Sequence, residues 1–249
     1  MAERTAPAQQ HVLDAFDSPP IEESSIPPFA EMQLDLGTAG YSDIETGYGR
    51  QADGVLFVAV RTEMPRVTPA MWDWWFGWHS VEAARYKLWH PDAHLYAALR
   101  HDFTGADLPD KQKYIGNTTY VDEYVGPKLQ QLAIEFRDPL QYGFDVPNYQ
   151  TLIFGRVGSS VAPIDLGWLG HQVRPIDGGS EMRSRFYLNM RGLHVPNLVQ
   201  AACAVRRGAS VDPADLTLSL SVARELLLHC GQEMNHLAGF LPELHAQFA

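Results

Sequence analysis

An α+β protein built on one antiparallel sheet is predicted by two features of this sequence. Strand-like segments at 131–136, 151–157, 162–173 and 180–190 follow one another with no helical pattern between them. Turn signals at Asp138-Pro139, Val146-Pro-Asn148 and Asp177-Gly-Gly179 separate them, and helical patterns stand at either end of the run. The 249 residues, 45% hydrophobic and 20% charged, fit one large globular domain with a small appendage. The boundary is expected near residue 50, with an N-terminal arm and small subdomain in 1–50 and the main domain in 51–249.

Charge and motif content narrow the function classes. A net charge of −11 disfavours nucleic acid and anionic membrane surfaces as partners. The longest apolar runs fall short of the eighteen or so residues that span a bilayer. Two cysteines, Cys203 and Cys230, are too few for a disulfide framework and no signal peptide precedes them, so a cytoplasmic protein is expected. Both cysteines are read as packing residues. There is no phosphate-binding glycine loop, no Gly-x-Ser-x-Gly elbow and no Cys-x-x-Cys, which disfavours a serine hydrolase.

In chain order, the first thirty or so residues are rich in proline and read as an extended arm. Gly54 to Arg61 is a strand candidate. Thr68-Pro69 caps a helix start and Asp73 supports it. This stretch holds four of the six tryptophans, Trp72, Trp74, Trp75 and Trp78. That much aromatic area must be buried in a core, in a pocket wall or between subunits, so a homodimer is expected. His90, His94 and His101 then cluster, and Pro91 turns His90 away from helical geometry, so only one of His90 and His94 is expected to bind a metal. In 117–127 the adjacent Asp122 and Glu123 interrupt a β-branched run, and strand alternation sends one of them inward. His171 and Tyr187 lie on consecutive strands and are expected to approach one another across the sheet.

Near the C-terminus, His229 and Glu233 stand i, i+4 on a helical pattern preceded by Asp212-Pro213. That spacing offers an imidazole and a carboxylate to one divalent ion, but it also describes two ordinary surface neighbours, so the pair needs partners from elsewhere. Gly231, between them in sequence, implies close approach of another element or a ligand.

The segments Trp74-Trp-Phe-Gly-Trp-His, Arg85-Tyr-Lys-Leu-Trp-His-Pro-Asp-Ala-His94, Val121-Asp-Glu123-Tyr-Val-Gly and His229-x-x-x-Glu233 together resemble the diacetylphloroglucinol hydrolases and their phloretin hydrolase relatives. The resemblance runs from about Gly54 to about Leu237. It implies a Bet v 1-like helix-grip fold, a curved antiparallel sheet around a long C-terminal helix and a deep cavity. It also implies a zinc ion held by His94, Glu123, His229 and Glu233. His94 is preferred to His90 because Tyr86 and Asp102 then match a pocket tyrosine and aspartate of the family. Ala97 stands where the family carries a substrate-contacting asparagine, which leaves the substrate open.

The implied reaction is hydrolysis of the aryl–carbonyl bond of an acylphloroglucinol or dihydrochalcone-type ketone, giving a phenol and a carboxylic acid. A bare aryl anion is too basic to leave, whereas hydroxyls ortho and para to the acyl group let the ring carbon be protonated first. Zinc would activate water, with Glu123 or Glu233 as base. His171 would protonate the ring carbon, Tyr86 and Tyr187 would hold the phenolic oxygens, and the tryptophan segment would wall the pocket. Two alternatives share the fold: a ligand carrier without catalysis, which needs no inward His/Glu quartet, and an oxygenase-like enzyme with iron in the same site.

Overall fold

The computed structural model describes residues 4–162, 164–193 and 217–249. Eight strands form one antiparallel sheet in the order β1-β2-β8-β7-β6-β5-β4-β3. They are β1 (Gly47–Arg50), β2 (Leu56–Pro65), β3 (His94–Leu99), β4 (Thr118–Val125), β5 (Lys128–Arg137), β6 (Thr151–Ser159), β7 (Ile164–Ile176) and β8 (Gly179–Leu193). Of the four strand segments expected in the middle of the chain, 131–136, 151–157 and 180–190 fall within β5, β6 and β8, and 162–173 overlaps β7 from Ile164 on. Gly178, at the tip between β7 and β8, has φ +78°, a left-handed conformation that glycine adopts without strain.

The long helix Leu220–Ala238 packs against β1, β2 and β4. In a flat sheet β1 and β4 would lie roughly 30 Å apart, far more than one helix can bridge, so the sheet curls around the helix. Val222, Ala223, Leu227, Cys230, Met234 and Leu237 recur at helical spacing and are buried. Asp212-Pro213 and Cys203 lie outside the described residues, and the described helix starts later than the sequence suggests, behind Ser219. None of the described helices is long and apolar enough to cross a membrane.

The sheet is covered on both faces. Along β8, Met182, Ser184, Phe186 and Leu188 face the long helix, while Arg183, Arg185 and Tyr187 face outward under residues 26–45. Arg183 and Arg185 are both fully buried. Arg183 donates to Glu45 Oε1 at 2.7 Å and Arg185 to Asp35 Oδ2 at 2.7 Å. Burial pushes the Glu45 carboxyl up, but the hydrogen bond from Arg183 and the charge of Arg185 outweigh it and hold the group at about 2.

Most of the expected extended arm is packed structure. The helix Gln10–Asp17 lies on the long helix, with Val12 fully buried, and β1 joins the main sheet. The helix Pro69–Trp78 forms as its Thr68-Pro69 signal suggests. Asp73 lies beyond its first turn and ties it to the sheet, accepting from Tyr114 Oη at 2.8 Å and Thr151 Oγ1 at 2.5 Å. Trp72, Trp74 and Trp75 are buried within the chain itself and Trp78 is half-buried, so less of the aromatic surface behind the homodimer expectation is left over.

Candidate active site

Strand pairing, one bulge and one helix turn bring four buried side chains together. His94, the first residue of β3, is the cross-strand partner of Glu123 on β4, and a register shift follows directly between His94 and Tyr96. Alternation along β4 turns Glu123 inward with Val121 and Val125, and leaves Asp122 on the other face. His229 and Glu233 reach in from adjacent turns of the long helix. His94 Nε2 lies 3.7 Å from Glu123 Oε2 and 3.4 Å from Glu233 Oε2, and His229 Nε2 lies 3.8 Å from Glu233 Oε2. One ligand atom each from His94, Glu123 and His229 fall within 4.8 Å of one another.

The protonation pattern suits a cation. His94 Nδ1 lies 3.1 Å from the Tyr86 carbonyl oxygen, which can only accept, so Nδ1 carries the proton and Nε2 presents a lone pair. That Nε2 is buried with no hydrogen-bond partner, facing carboxylate oxygens. Lone pairs gathered this way repel unless a proton or a metal ion sits between them. Burial pushes the Glu123 carboxyl up to about 7, against the lowering effect of the Tyr86 hydrogen bond. Glu233 is pushed well up by burial and then by the Glu123 charge. Burial lowers His229 to about 4 and holds His94 well below its ordinary value. A divalent cation bound here would favour ionised carboxylates and neutral imidazoles together.

The surrounding groups hold the cluster in place. The Tyr86 ring stacks on His94 at 3.8 Å and 4° between planes, and its hydroxyl donates to Glu123 Oε2. His90 stacks on His229 at 4.7 Å, and its Nδ1 is 2.8 Å from Thr5 Oγ1. His90 therefore supports the cluster from behind, and His94 occupies the position inside it.

The cluster stands at one end of an apolar cavity. Tyr86, Glu123, His171, His229 and Glu233 line it together with Phe76, Val121, Leu132, Leu169 and Phe186. His171 Nδ1 is 2.8 Å from Ser184 Oγ, and burial lowers the imidazole to about 3, so it is neutral at neutral pH. Two expected pocket residues lie elsewhere. Tyr187 pairs with Trp168, whereas His171 pairs with Ser184, so strand alternation puts Tyr187 on the outer face against Phe29 and Phe57. Asp102 is exposed, in a turn where its carboxylate accepts from the Thr104 amide at 2.8 Å. The four clustered tryptophans also stay out of the cavity wall, which takes Phe76, His79 and Trp89 instead. Thr119 and Gln130 line it too and escaped the sequence reading. Their signal was available, because Thr119 keeps the inward parity of Glu123 and Gln130 is Glu123's partner on β5.

A buried His/Glu cluster in the wall of an apolar cavity, within a sheet curled around a helix, is the arrangement of an enzyme with a small-molecule pocket. The family model described as the DAPG hydrolase PhiG domain matches residues 26–246, and the chain belongs to that family of hydrolases. It is 31% identical over 250 residues to the phloretin hydrolase of Eubacterium ramulus, covering 97% of this chain and 86% of that one. It is also 31% identical over 217 residues to a 2,4-diacetylphloroglucinol hydrolase of Pseudomonas sp, covering 82% and 71%. Among solved structures, Ara h 8.0201 matches with a TM-score of 0.34 and 11% identity, over 71% of this chain and 99% of that one.

Proposed function

We propose that this protein hydrolyses the aryl–carbonyl carbon–carbon bond of an acylated, ortho-hydroxylated phenol, with zinc held by His94, Glu123, His229 and Glu233. The reading rests on the unpaired, buried His94 Nε2 facing two carboxylates at the end of an apolar cavity. A set of imidazole and carboxylate donors without thiolate suits zinc, and a hydrolysis needs no redox metal. When bound, the ion supplies a Lewis acid that polarises the ketone and acidifies water.

The chain's own groups supply the proton movements. Water adds its oxygen to the carbonyl carbon and gives up one proton to Glu233, the carboxylate whose Oε2 lies 3.4 Å from His94 Nε2. The ring carbon takes a proton, the bond to the carbonyl breaks, and its electron pair restores the aromatic ring. The products are the phenol and the carboxylic acid. His171 is an unsuitable store for the ring proton because burial keeps it neutral. The Tyr86 hydroxyl, which donates to Glu123 Oε2 beside the cluster, is the better placed donor. His171, with Nδ1 engaged by Ser184, is left to bind a phenolic oxygen through Nε2.

The test is metal analysis of purified protein followed by product analysis with acylphloroglucinols and dihydrochalcones. Stoichiometric zinc and release of free phenol plus acid are expected. Tight binding of these compounds with no turnover by the zinc-loaded protein would favour a carrier instead.

A further inference from the structure

The cavity has a far end that the bond-breaking step does not use. From His94, neighbouring rings lead away from the cluster: Trp89 at 5.6 Å between centroids, Phe76 at 5.5 Å from Trp89, and Phe136 at 5.4 Å from Phe76. Two residues before Phe136 on β5 is Ile134, whose cross-strand partner is Thr119. Thr119 shares β4 and its inward face with Glu123, four residues or roughly 13 Å away along the strand. It lines the cavity at 2% exposure, and its Oγ1 has no hydrogen-bond partner among the described residues. His79, which also lines the cavity, has both nitrogens engaged: Nδ1 is 2.8 Å from the Trp75 carbonyl oxygen and Nε2 is 3.2 Å from Ser80 Oγ. Trp89 Nε1 is also unpartnered, but its ring lies beside Tyr86 and His94, at the cluster end.

A buried hydroxyl without a partner is unfavourable, and in a cavity wall a ligand that hydrogen-bonds to it relieves the penalty. We propose that Thr119 is a specificity-determining residue whose hydroxyl pairs with a hydroxyl at the remote end of the substrate's acyl part. Resting on the reaction proposed above, this makes the preferred substrate a two-ring ketone whose acyl chain ends in a hydroxyphenyl group. Phe76, Ile134 and Phe136 supply the apolar wall for that second ring. An acetyl group is too short to span from the cluster to Thr119.

The experiment compares kcat/KM of the zinc-loaded wild type, Thr119→Val and Thr119→Ser on phloretin, on its analogue lacking the second-ring hydroxyl, and on monoacetylphloroglucinol. The wild type is expected to prefer phloretin over the analogue by roughly tenfold or more, the scale of one buried polar mismatch. Thr119→Val should abolish that preference, lowering kcat/KM on phloretin by more than on either of the other two substrates, while Thr119→Ser keeps it. A preference that survives in Thr119→Val, or a loss that falls equally on all three substrates, overturns the assignment. If the wild type cleaves none of them, the reaction itself is wrong. Calorimetry of phloretin against the analogue then decides Thr119 alone: a binding preference lost in the valine variant sustains its role, and no such loss ends it.

Discussion

Val12 occupies the space that a side chain at position 231 would need: a Cβ on Gly231 would lie 2.7 Å from Val12 Cγ1 and 3.3 Å from Ala8 Cβ. The glycine lies between the two helix residues of the cluster in sequence, and the element that approaches it is the first helix of the chain.

Gly231→Ala should therefore destabilise the fold by about 1–3 kcal/mol through overpacking, partly offset by about 1 kcal/mol of better helix propensity. Val12 is β-branched and cannot swing aside cheaply. Combining Gly231→Ala with Val12→Ala should recover most of the overpacking loss in urea unfolding. Additive losses in the double variant would mean that the two positions do not meet.

His94→Ala should remove bound zinc and activity together, whereas His90→Ala should keep stoichiometric zinc. The difference follows from His94 Nε2 facing both carboxylates while His90 is engaged with Thr5. Metal content after dialysis checks both variants, and zinc lost from His90→Ala but retained in His94→Ala would exchange their roles.

Tyr86→Phe should lose at least about a hundredfold in kcat with zinc retained, the lower range for losing a general acid. His171→Ala should cost less if it only binds a phenolic oxygen, within about 1–3 kcal/mol of transition-state stabilisation. Steady-state kinetics on one acylphloroglucinol orders the two variants. A larger loss in His171→Ala would return the proton-donor role to the imidazole.

Acid should destabilise the protein from about pH 6.5 downward. Burial lowers His79 from 6.5 to about 4, against its bond to the Trp75 backbone, and lowers His171 to about 3. Between those values and 6.5 the unfolded chain binds protons that the folded chain refuses, so stability falls as pH falls. Glu45, held at about 2 against an ordinary 4.5, adds its own loss at lower pH, for the same reason. Urea midpoints measured from neutral to acid pH should fall, and His79→Gln should flatten the upper part of that fall. A pH profile in His79→Gln that matches the wild type would contradict the histidine contribution.

The sheet and its closing helix were legible because period-2 and period-3.6 patterns depend on local residue order. Glu123 could be narrowed to one of two carboxylates by alternation, and His229 with Glu233 by helical spacing. The pairing of His94 with Glu123 depends on the β3–β4 register, which no local pattern encodes, and here family resemblance supplied the link. Tyr187 was misplaced because crossing a hairpin requires counting register from the turn, and its parity is opposite to that of Phe186. The tryptophans were ambiguous for a different reason: cores and pocket walls draw on the same residues, and only packing showed that Phe76 and His79 face the cavity while their neighbours do not.

The buried arginines on the back of β8 bear on how this cavity can change. Slipping that strand by one residue would drive Arg183 and Arg185 into the apolar inner face of the sheet and turn Phe186 and Leu188 toward the acidic groups outside. The ion pairs with Asp35 and Glu45 thus act as a key cut for one alignment, placed where substrate never reaches. Inward positions on β8 can then be exchanged for new substrate shapes while the outward ones keep the strand in register, so selectivity and alignment can evolve on opposite sides of the same strand.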